Sequence, residues 1–501
     1  MSTHLIEGVI HRCSIEVDMY IPKPRAGLEI ERGADRWHLR DPITAQTATL
    51  NAFQIAIFEA LGEGHTTPEA LLKALPEADP GRVFRAVKAL EEGLMLDGPL
   101  WRIQQELFEA REATKGSAAG LRLHASLAHQ CVGCGSSCSG VTVGPVPERT
   151  IQAIDAFSLW QQVSGRRSGD DCVETVEASD RQLKLMARQE GGCVMLDGEG
   201  RCRVHAAAGP EAKPGICNQF PYTLTATPDG VYVGLQMECR SFIASATAGA
   251  AVDAETRRAQ VEQLDALPDV QHLRIPTPVP LAPGVFATWA DYRRWWSDAI
   301  AHLEEGAELD TLGDTLEALV KTKVPVGAFA WRDSDAWPEA VRGVAGRALQ
   351  RKGLLKVLIG TCDEALMAAG EDEDLQAEML EMARKGMLWL LGLVPTGRVR
   401  PGDEDGPRLL RTAMLAEVYG HQHLLRRDVA WGLGRLALTV ELSWAIAVVR
   451  AWQVGRVVVY GQDVNDGVVV AQKVMRSPHM LTALMRMGPA VRSCVGFGVE
   501  G

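Results

Sequence analysis

The cysteines constrain this chain most, because eight of its eleven thiols lie between Cys131 and Cys239. The other three, Cys13, Cys362 and Cys494, stand apart from that segment. A chain of 501 residues corresponds to about three domains of roughly 150 residues, each able to bury its own core. It therefore does not read as a small disulfide scaffold. In a reducing cytosol, clustered cysteines are more often metal ligands or catalytic thiols than disulfides.

The first group of cysteines reads Cys131-Val-Gly-Cys134-Gly-Ser-Ser-Cys138. Two cysteines separated by two residues can turn both thiolates toward one ion, and the neighbouring glycines allow a tight backbone. In the second group, the turn sequence Asp-Gly-Glu-Gly at 197–200 predicts a hairpin that brings Cys193 and Cys202 together. These spacings favour metal binding over isolated buried thiols.

Four further residues complete the set of candidates. Cys217 and Cys239 follow the second group, and His205 is a candidate ligand because it comes three residues after Cys202. Buried thiols that pack as small hydrophobes are the alternative interpretation. That alternative is as good as metal binding for Cys172, and it is favoured for the three cysteines outside the cluster.

The ordered series of motifs from about 131 to 240 resembles the CxxCxxCC family of zinc- or iron-chelating domains (YkgJ-like). Within that family it is most similar to the flagellin lysine N-methylase branch. The resemblance is carried by the first cysteine group, Gly-Cys-Val-Met-Leu-Asp at 192–197, Cys-Arg-Val-His at 202–205, Lys-Pro-x-x-Cys-x-x-Phe-Pro at 213–221 and Glu-Cys at 238–239. One departure is Ser139, which stands where the family has the second member of a cysteine doublet. The number of ligands and the metal are therefore left open.

The resemblance implies a bound metal or iron–sulfur centre, with these ligands: Cys131, Cys134, Cys138, Cys193, Cys202, Cys217 and Cys239. His205 and Cys172 are additional candidates taken from the sequence itself. In the methylase branch the resemblance implies a 4Fe–4S cluster and methyl transfer from S-adenosylmethionine to lysine side chains of a protein. Tetrahedral thiolate sites suit zinc as well as iron, so zinc is the alternative metal. Seven cysteines exceed the four that one cluster needs. Either two centres exist, or some thiols are structural or redox-active.

The remaining chain predicts an α+β, multidomain and mostly α-helical protein. Residues 15–103 form a small winged-helix-like module, in which Asn51, Thr67 and Asp79 each begin a helix. This module resembles the PqqD-like domains, which hold peptides by adding a strand to a sheet edge. We expect a helix and linker at 104–126, a loop-rich cysteine-cluster metal domain at 127–245 and an all-helical domain at 246–501. The last of these begins with a proline-rich segment, which we expect to run extended along the surface.

Charge and hydropathy limit the classes of partner and the cellular location that we expect. Acidic residues outnumber basic ones 64 to 52, and this balance argues against a nucleic-acid partner. The N-terminus has no apolar signal region, and the apolar stretch 436–449 is short and bounded by arginines, so we expect no membrane association and a cytoplasmic location. No Gly-x-Gly-x-x-Gly motif follows a strand and opens a helix, so a site for S-adenosylmethionine is not located.

These observations leave three functional hypotheses. The first is an iron–sulfur enzyme that modifies a protein or peptide, most specifically by lysine N-methylation of a flagellin-like substrate. The second is a non-catalytic protein in which zinc staples the cysteine domain and the other domains bind partners. The third is a maturation factor that acts on a ribosomally made precursor peptide.

Overall fold

The structure is a computed structural model. It describes residues 21–41, 47–93, 95–98, 101, 105, 120–127, 129, 135, 143–178, 181–189, 192–241, 254–267, 269–323, 351–368, 374–394, 399–424 and 427–495. Helix accounts for 56% of the described residues and strand for 16%, and helices dominate the described part of the C-terminal region. The expectation of a mixed α+β, mostly helical protein is thereby confirmed.

The N-terminal unit packs three helices against a three-stranded antiparallel sheet in the order β1-β2-β3. Asn51 caps the first helix through a capping box with Gln54, and Thr67 and Asp79 cap the next two as the sequence predicts. One apolar core extends from Ile21 to Leu96. The elements are β1 (Glu29–Arg32), β2 (Arg36–Arg40), β3 (Thr47–Asn51), α1 (Ala52–Gly62), α2 (Pro68–Ala74) and α3 (Pro80–Glu92).

The cysteine-bearing segment consists of short helices, small hairpins and a four-stranded sheet in the order β11-β9-β10-β4. Thr227 and Gly230 close the β9–β10 hairpin, as the turn sequence predicts. The elements are β4 (Leu121–Leu123), α4 (Glu148–Ala156), β5 (Val173–Ala178), β6 (Arg181–Met186), β7 (Arg188–Gln189), β8 (Gly192–Cys193), α5 (Arg203–Ala208), α6 (Gly215–Gln219), β9 (Tyr222–Thr227), β10 (Gly230–Leu235), α7 (Ala254–Asp265) and β11 (His272–Arg274).

The C-terminal region packs most of its helices around the long α13, which begins at Asp428, its side-chain cap. Trp295 and Trp296 are buried in its core and contribute to its packing. The elements are β12 (Val279–Ala282), β13 (Val285–Ala287), α8 (Trp289–Glu304), α9 (Leu309–Lys321), α10 (Arg351–Ala368), α11 (Asp374–Leu390), β14 (Arg400–Pro401), α12 (Asp405–Tyr419), α13 (Val429–Gln453), β15 (Val458–Val459), α14 (Gly461–Met475), α15 (Pro478–Arg486) and α16 (Gly488–Arg492).

Two features differ from expectation near the predicted boundary at residue 245. Strand β11 pairs in parallel with β9, so the sheet of the cysteine segment continues past that boundary and the region after it is not purely helical. The proline-rich segment is extended, but its strand Val279–Ala282 is buried rather than on the surface. The reason is that β12 pairs with β13 and places Val279 and Leu281 in the largest core.

One helix within the described ranges, Val429–Gln453, is long and apolar enough to cross a membrane, and most of its apolar window is buried inside the protein. It is longer than the apolar stretch seen in the sequence, because it continues past Arg435, which pairs with the buried Glu417. Core helices of soluble proteins have the same length and composition, so this helix carries no membrane assignment.

Candidate metal centre

Four of the seven family-matching cysteines fall in the part of the chain that the structure describes. Cys193, Cys202 and Cys217 are half-buried, and Cys239 is buried. Cys131, Cys134 and Cys138 lie outside the described residues. The nearest described residues in the sequence are His129, Gly135 and Val143.

Cys193 and Cys202 belong to one closed loop. The backbone N–H of Leu196 donates to the carbonyl of Cys193 at 3.0 Å, and Leu196 forms a β-bridge with Cys202. Asp197 holds the turn between them, because its carboxylate accepts the N–H groups of Glu199 and Arg201 at 2.9 and 2.8 Å. The predicted hairpin turn is present, and both cysteines pack against the same apolar core.

Gly135, the residue that follows Cys134, lies directly on this turn. A Cβ added at Gly135 would stand 2.8 Å from the Cα of Gly200 and would overlap its carbonyl oxygen. Both glycines have positive φ, +63° and +78°, in the region that favours glycine. Two backbones thus meet where side chains would keep them apart, and Gly135 lies against the Cys193–Cys202 loop.

Helix α4 fixes the segment that leads to Cys217. The Arg149 guanidinium donates to the carbonyls of Glu211 and Lys213, both at 3.0 Å, and the Thr150 hydroxyl donates to the carbonyl of Ala212 at 2.7 Å. Since each of these carbonyls has a donor from α4, the backbone before Cys217 has a defined path.

Cys239 follows strand β10 and is packed at the largest apolar core. Its Sγ lies 3.5 Å from Nε2 of His129, which is also buried. The Tyr222 ring meets the His129 ring edge-on at 5.7 Å between centroids. Burial lowers the pKa of His129 to about 4, so its imidazole is neutral at pH 7. His129 is not among the ligands predicted from the sequence, although a histidine two residues before the first cysteine of a ligand group is a usable signal.

The two additional candidates occupy different environments. Cys172 is fully buried in an apolar core, and its thiol donates to the carbonyl of Ser168 at 3.6 Å. Burial raises the pKa of Cys172, so the thiol stays protonated. This environment is that of a buried thiol that packs as a small hydrophobe. The His205 side chain is exposed on α5. Its pKa is lowered, chiefly by partial burial and secondly by the nearby positive charge of Lys213.

The turn after β10 is also held from the helical region. Arg476, which follows α14, donates to Glu238 at 3.2 Å, to Glu417 at 3.1 Å and to the amide oxygen of Gln422 at 2.6 Å. Although burial alone would raise the pKa of Glu417, Arg435 and Arg476 hold it below its ordinary value. Glu238 precedes Cys239 directly, so this ion-pair network ends beside a candidate ligand. The sequence gives no signal for a contact between residues so far apart.

A second buried polar cluster lies in the helical region. The Tyr292 hydroxyl lies 2.9 Å from Nδ1 of His421 and 3.1 Å from Nε2 of His423. Burial lowers the pKa of both histidines, for His423 to about 4, and raises that of Tyr292. The rings are therefore neutral, and the hydroxyl donates to one histidine while it accepts from the other.

The donor chemistry fits a thiolate-type metal centre. Within the described ranges, no group of three or more His, Cys, Asp or Glu side chains is arranged to hold an ion. The described family-matching cysteines are those of the Cys193–Cys202 loop, Cys217, and Cys239 beside His129. Neutral imidazole and cysteine sulfur are ligands for zinc and for iron.

Comparison with family models, with curated proteins and with solved structures finds no match to this chain.

Proposed function

We propose that residues 127–245 form a cysteine-ligated metal centre, and that the protein uses it to act on a protein or peptide. The observation that carries the proposal is the approach of Gly135, which follows Cys134 in the sequence, to Gly200 in the loop that carries Cys193 and Cys202. The Cys239–His129 pair supports it, because the residue two positions before Cys131 touches a second candidate ligand.

Lysine N-methylation with S-adenosylmethionine is the most specific version of this function, on the strength of the family resemblance. A bound iron–sulfur centre would supply a Lewis-acidic or redox-active metal beside the substrate. For the chain itself, the requirement is to hold a lysine amine in its neutral form, which calls for a desolvated pocket or a nearby base. The winged-helix-like N-terminal unit would supply affinity for the peptide.

The experiment is methyl transfer by the full chain, purified anaerobically, from labelled S-adenosylmethionine to purified flagellin. The expected result is label on lysine residues, with loss of both metal and transfer in Cys134→Ala and Cys217→Ala. Metal-loaded protein that transfers no methyl group would contradict the methylase proposal. A short precursor peptide as the accepted substrate would favour the maturation-factor version.

A structural zinc staple is the second candidate, and the Cys239–His129 pair favours it specifically. Mixed cysteine and histidine ligand sets are typical of structural zinc sites. In that case zinc stabilises the folded cysteine segment, and the other parts of the chain bind the partners. Stoichiometric zinc, no acid-labile sulfide and no binding of S-adenosylmethionine would favour this candidate over the enzyme.

A further inference from the structure

The distance between His129 Nε2 and Cys239 Sγ matches the spacing of two ligand atoms on one tetrahedral metal ion. A tetrahedral zinc ion binds sulfur at about 2.3 Å and imidazole nitrogen at about 2.0–2.1 Å, which separates two such ligand atoms by about 3.5 Å. The observed separation is 3.5 Å. The two atoms therefore already stand at the edge length of a tetrahedral site.

We infer that His129 is a ligand of the same metal ion as Cys239, in a mixed thiolate–imidazole site that takes zinc or a single iron. The inference rests on the proposed metal centre and adds to it a ligand that the cysteine pattern does not contain. In a four-iron cluster four cysteines serve four irons. Two protein ligands on one ion are therefore not the arrangement of a four-iron cluster, and they occur on a mononuclear ion or on one iron of a two-iron cluster.

The surroundings of the pair favour ligation. Both side chains are buried, and Cys239 Sγ is the hydrogen-bonding partner that the described residues offer to the His129 ring. The Tyr222 ring fixes the plane of the imidazole, and the Cys239 N–H donates to the carbonyl of Gln236 at 3.4 Å. A rigid imidazole beside a rigid thiol costs little reorganisation when an ion enters.

The sequence next to His129 contains candidates for the remaining ligands. His129 precedes Cys131 by two residues and Cys134 by five. An ion held by His129 and Cys239 therefore lies within a short length of chain from both cysteines of the first pair. The other cysteines remain available to a second centre, since seven exceed the need of one.

The test is zinc X-ray absorption on the full chain loaded with one equivalent of Zn²⁺. The wild-type spectrum is expected to contain the outer-shell scattering of an imidazole ligand. His129→Gln is expected to lose that scattering and to bind zinc at least about tenfold more weakly in chelator competition. His124→Gln is the matched control, because His124 is five residues upstream and contacts Ser126 and Glu304 instead.

A second variant keeps the test decisive if His129→Gln does not fold. His129→Cys supplies a sulfur in place of the nitrogen, so it is expected to retain zinc and to give a sulfur-only spectrum. An unchanged spectrum in His129→Cys would overturn the inference, and so would imidazole scattering that disappears in His205→Gln but not in the His129 variants.

The zinc measurements distinguish a wrong assignment of His129 from the absence of a metal centre. Wild-type protein that binds zinc without imidazole scattering overturns the role of His129 and leaves the cysteine centre in place. In that case the 3.5 Å contact is a thiol–imidazole hydrogen bond. Folded wild-type protein that contains neither iron nor zinc, and takes up neither when both are supplied, overturns both.

Discussion

Arg476 and Glu238 form an ion pair at 3.2 Å, although 237 residues lie between them. Arg476 also contacts Glu417, which is fully buried and paired with Arg435. In the sequence, Glu238 is followed directly by Cys239. A side chain at the end of helix α14 therefore helps to fix the turn that carries a candidate metal ligand.

Removal of Arg476 is expected to weaken the metal centre as well as the fold. Arg476→Met leaves Glu417 and Glu238 without one cationic partner, and the free energy of unfolding should fall by about 1–3 kcal/mol. Metal affinity should fall by about tenfold or more, because residues that orient ligands typically contribute that much. Chelator competition and denaturant unfolding measure the two effects separately.

Arg492→Met is the matched control. Arg492 pairs with the buried Asp428 at 2.6 Å in the same helical region, and its guanidinium donates two hydrogen bonds to the Asp428 carboxylate, which caps α13. This variant should lose stability to a similar or greater degree and retain its metal affinity. Equal losses of metal affinity in both variants would contradict a specific role for Arg476.

A methyl group at Gly135 is expected to disrupt the centre. Gly135→Ala would force a Cβ onto the Gly200 backbone, so the two loops must separate and metal occupancy should fall. Gly165→Ala controls for backbone strain, because Gly165 has a similar φ of +76° but no neighbour within 4 Å of an added Cβ. Full metal occupancy in both variants, measured by elemental analysis, would show that the Gly135 contact does not assemble the site.

We predict that some cysteines bind metal and that others only pack in an apolar core. Cys217→Ala is expected to lower the metal content of the protein, whereas Cys362→Ala is expected to leave it unchanged. Cys362 lies in the apolar core of the helical region, where burial raises the pKa of its thiol to about 12. Metal loss in Cys362→Ala at unchanged helix content would be evidence against this division.

Stability is expected to fall as the pH drops from 6.5 toward 4. Burial holds the pKa of His423 at about 4, below the value of about 6.5 in the unfolded chain. The unfolded state thus binds more protons in this range, and at pH 5 the loss from His423 amounts to about 2 kcal/mol. Denaturant unfolding of His423→Gln should show a weaker pH dependence than wild type. His38→Gln, on the exposed side of β2, should retain the wild-type dependence.

Local chemistry made much of the fold predictable. Asn51, Thr67 and Asp79 are helix caps whose side chains bond backbone N–H groups three residues on, so short sequence patterns located them. The turns at 197–200 and 228–230 were predictable for the same reason. Burial of the segment at 279–282 was not, because it depends on pairing with β13 and on packing against distant helices.

The candidate site shows the same limit. Cysteine spacing identified the candidate ligands, since chelation by neighbouring residues is a local property. The contacts of Cys239 with His129, of Gly135 with Gly200 and of Arg476 with Glu238 join residues far apart in the chain. Only the tertiary structure brings these pairs together, and sequence spacing contains no information about them.

Iron, zinc and acid-labile sulfide content of the anaerobically purified full chain, with its visible spectrum, tests the central claim most directly. The account predicts at least one equivalent of iron or zinc per chain, and its loss in Cys217→Ala and Cys239→Ser. Near-equal iron and sulfide would support the iron–sulfur enzyme, and zinc without sulfide the structural staple. Folded wild-type protein that contains neither metal, and takes up neither when both are supplied, would contradict the account.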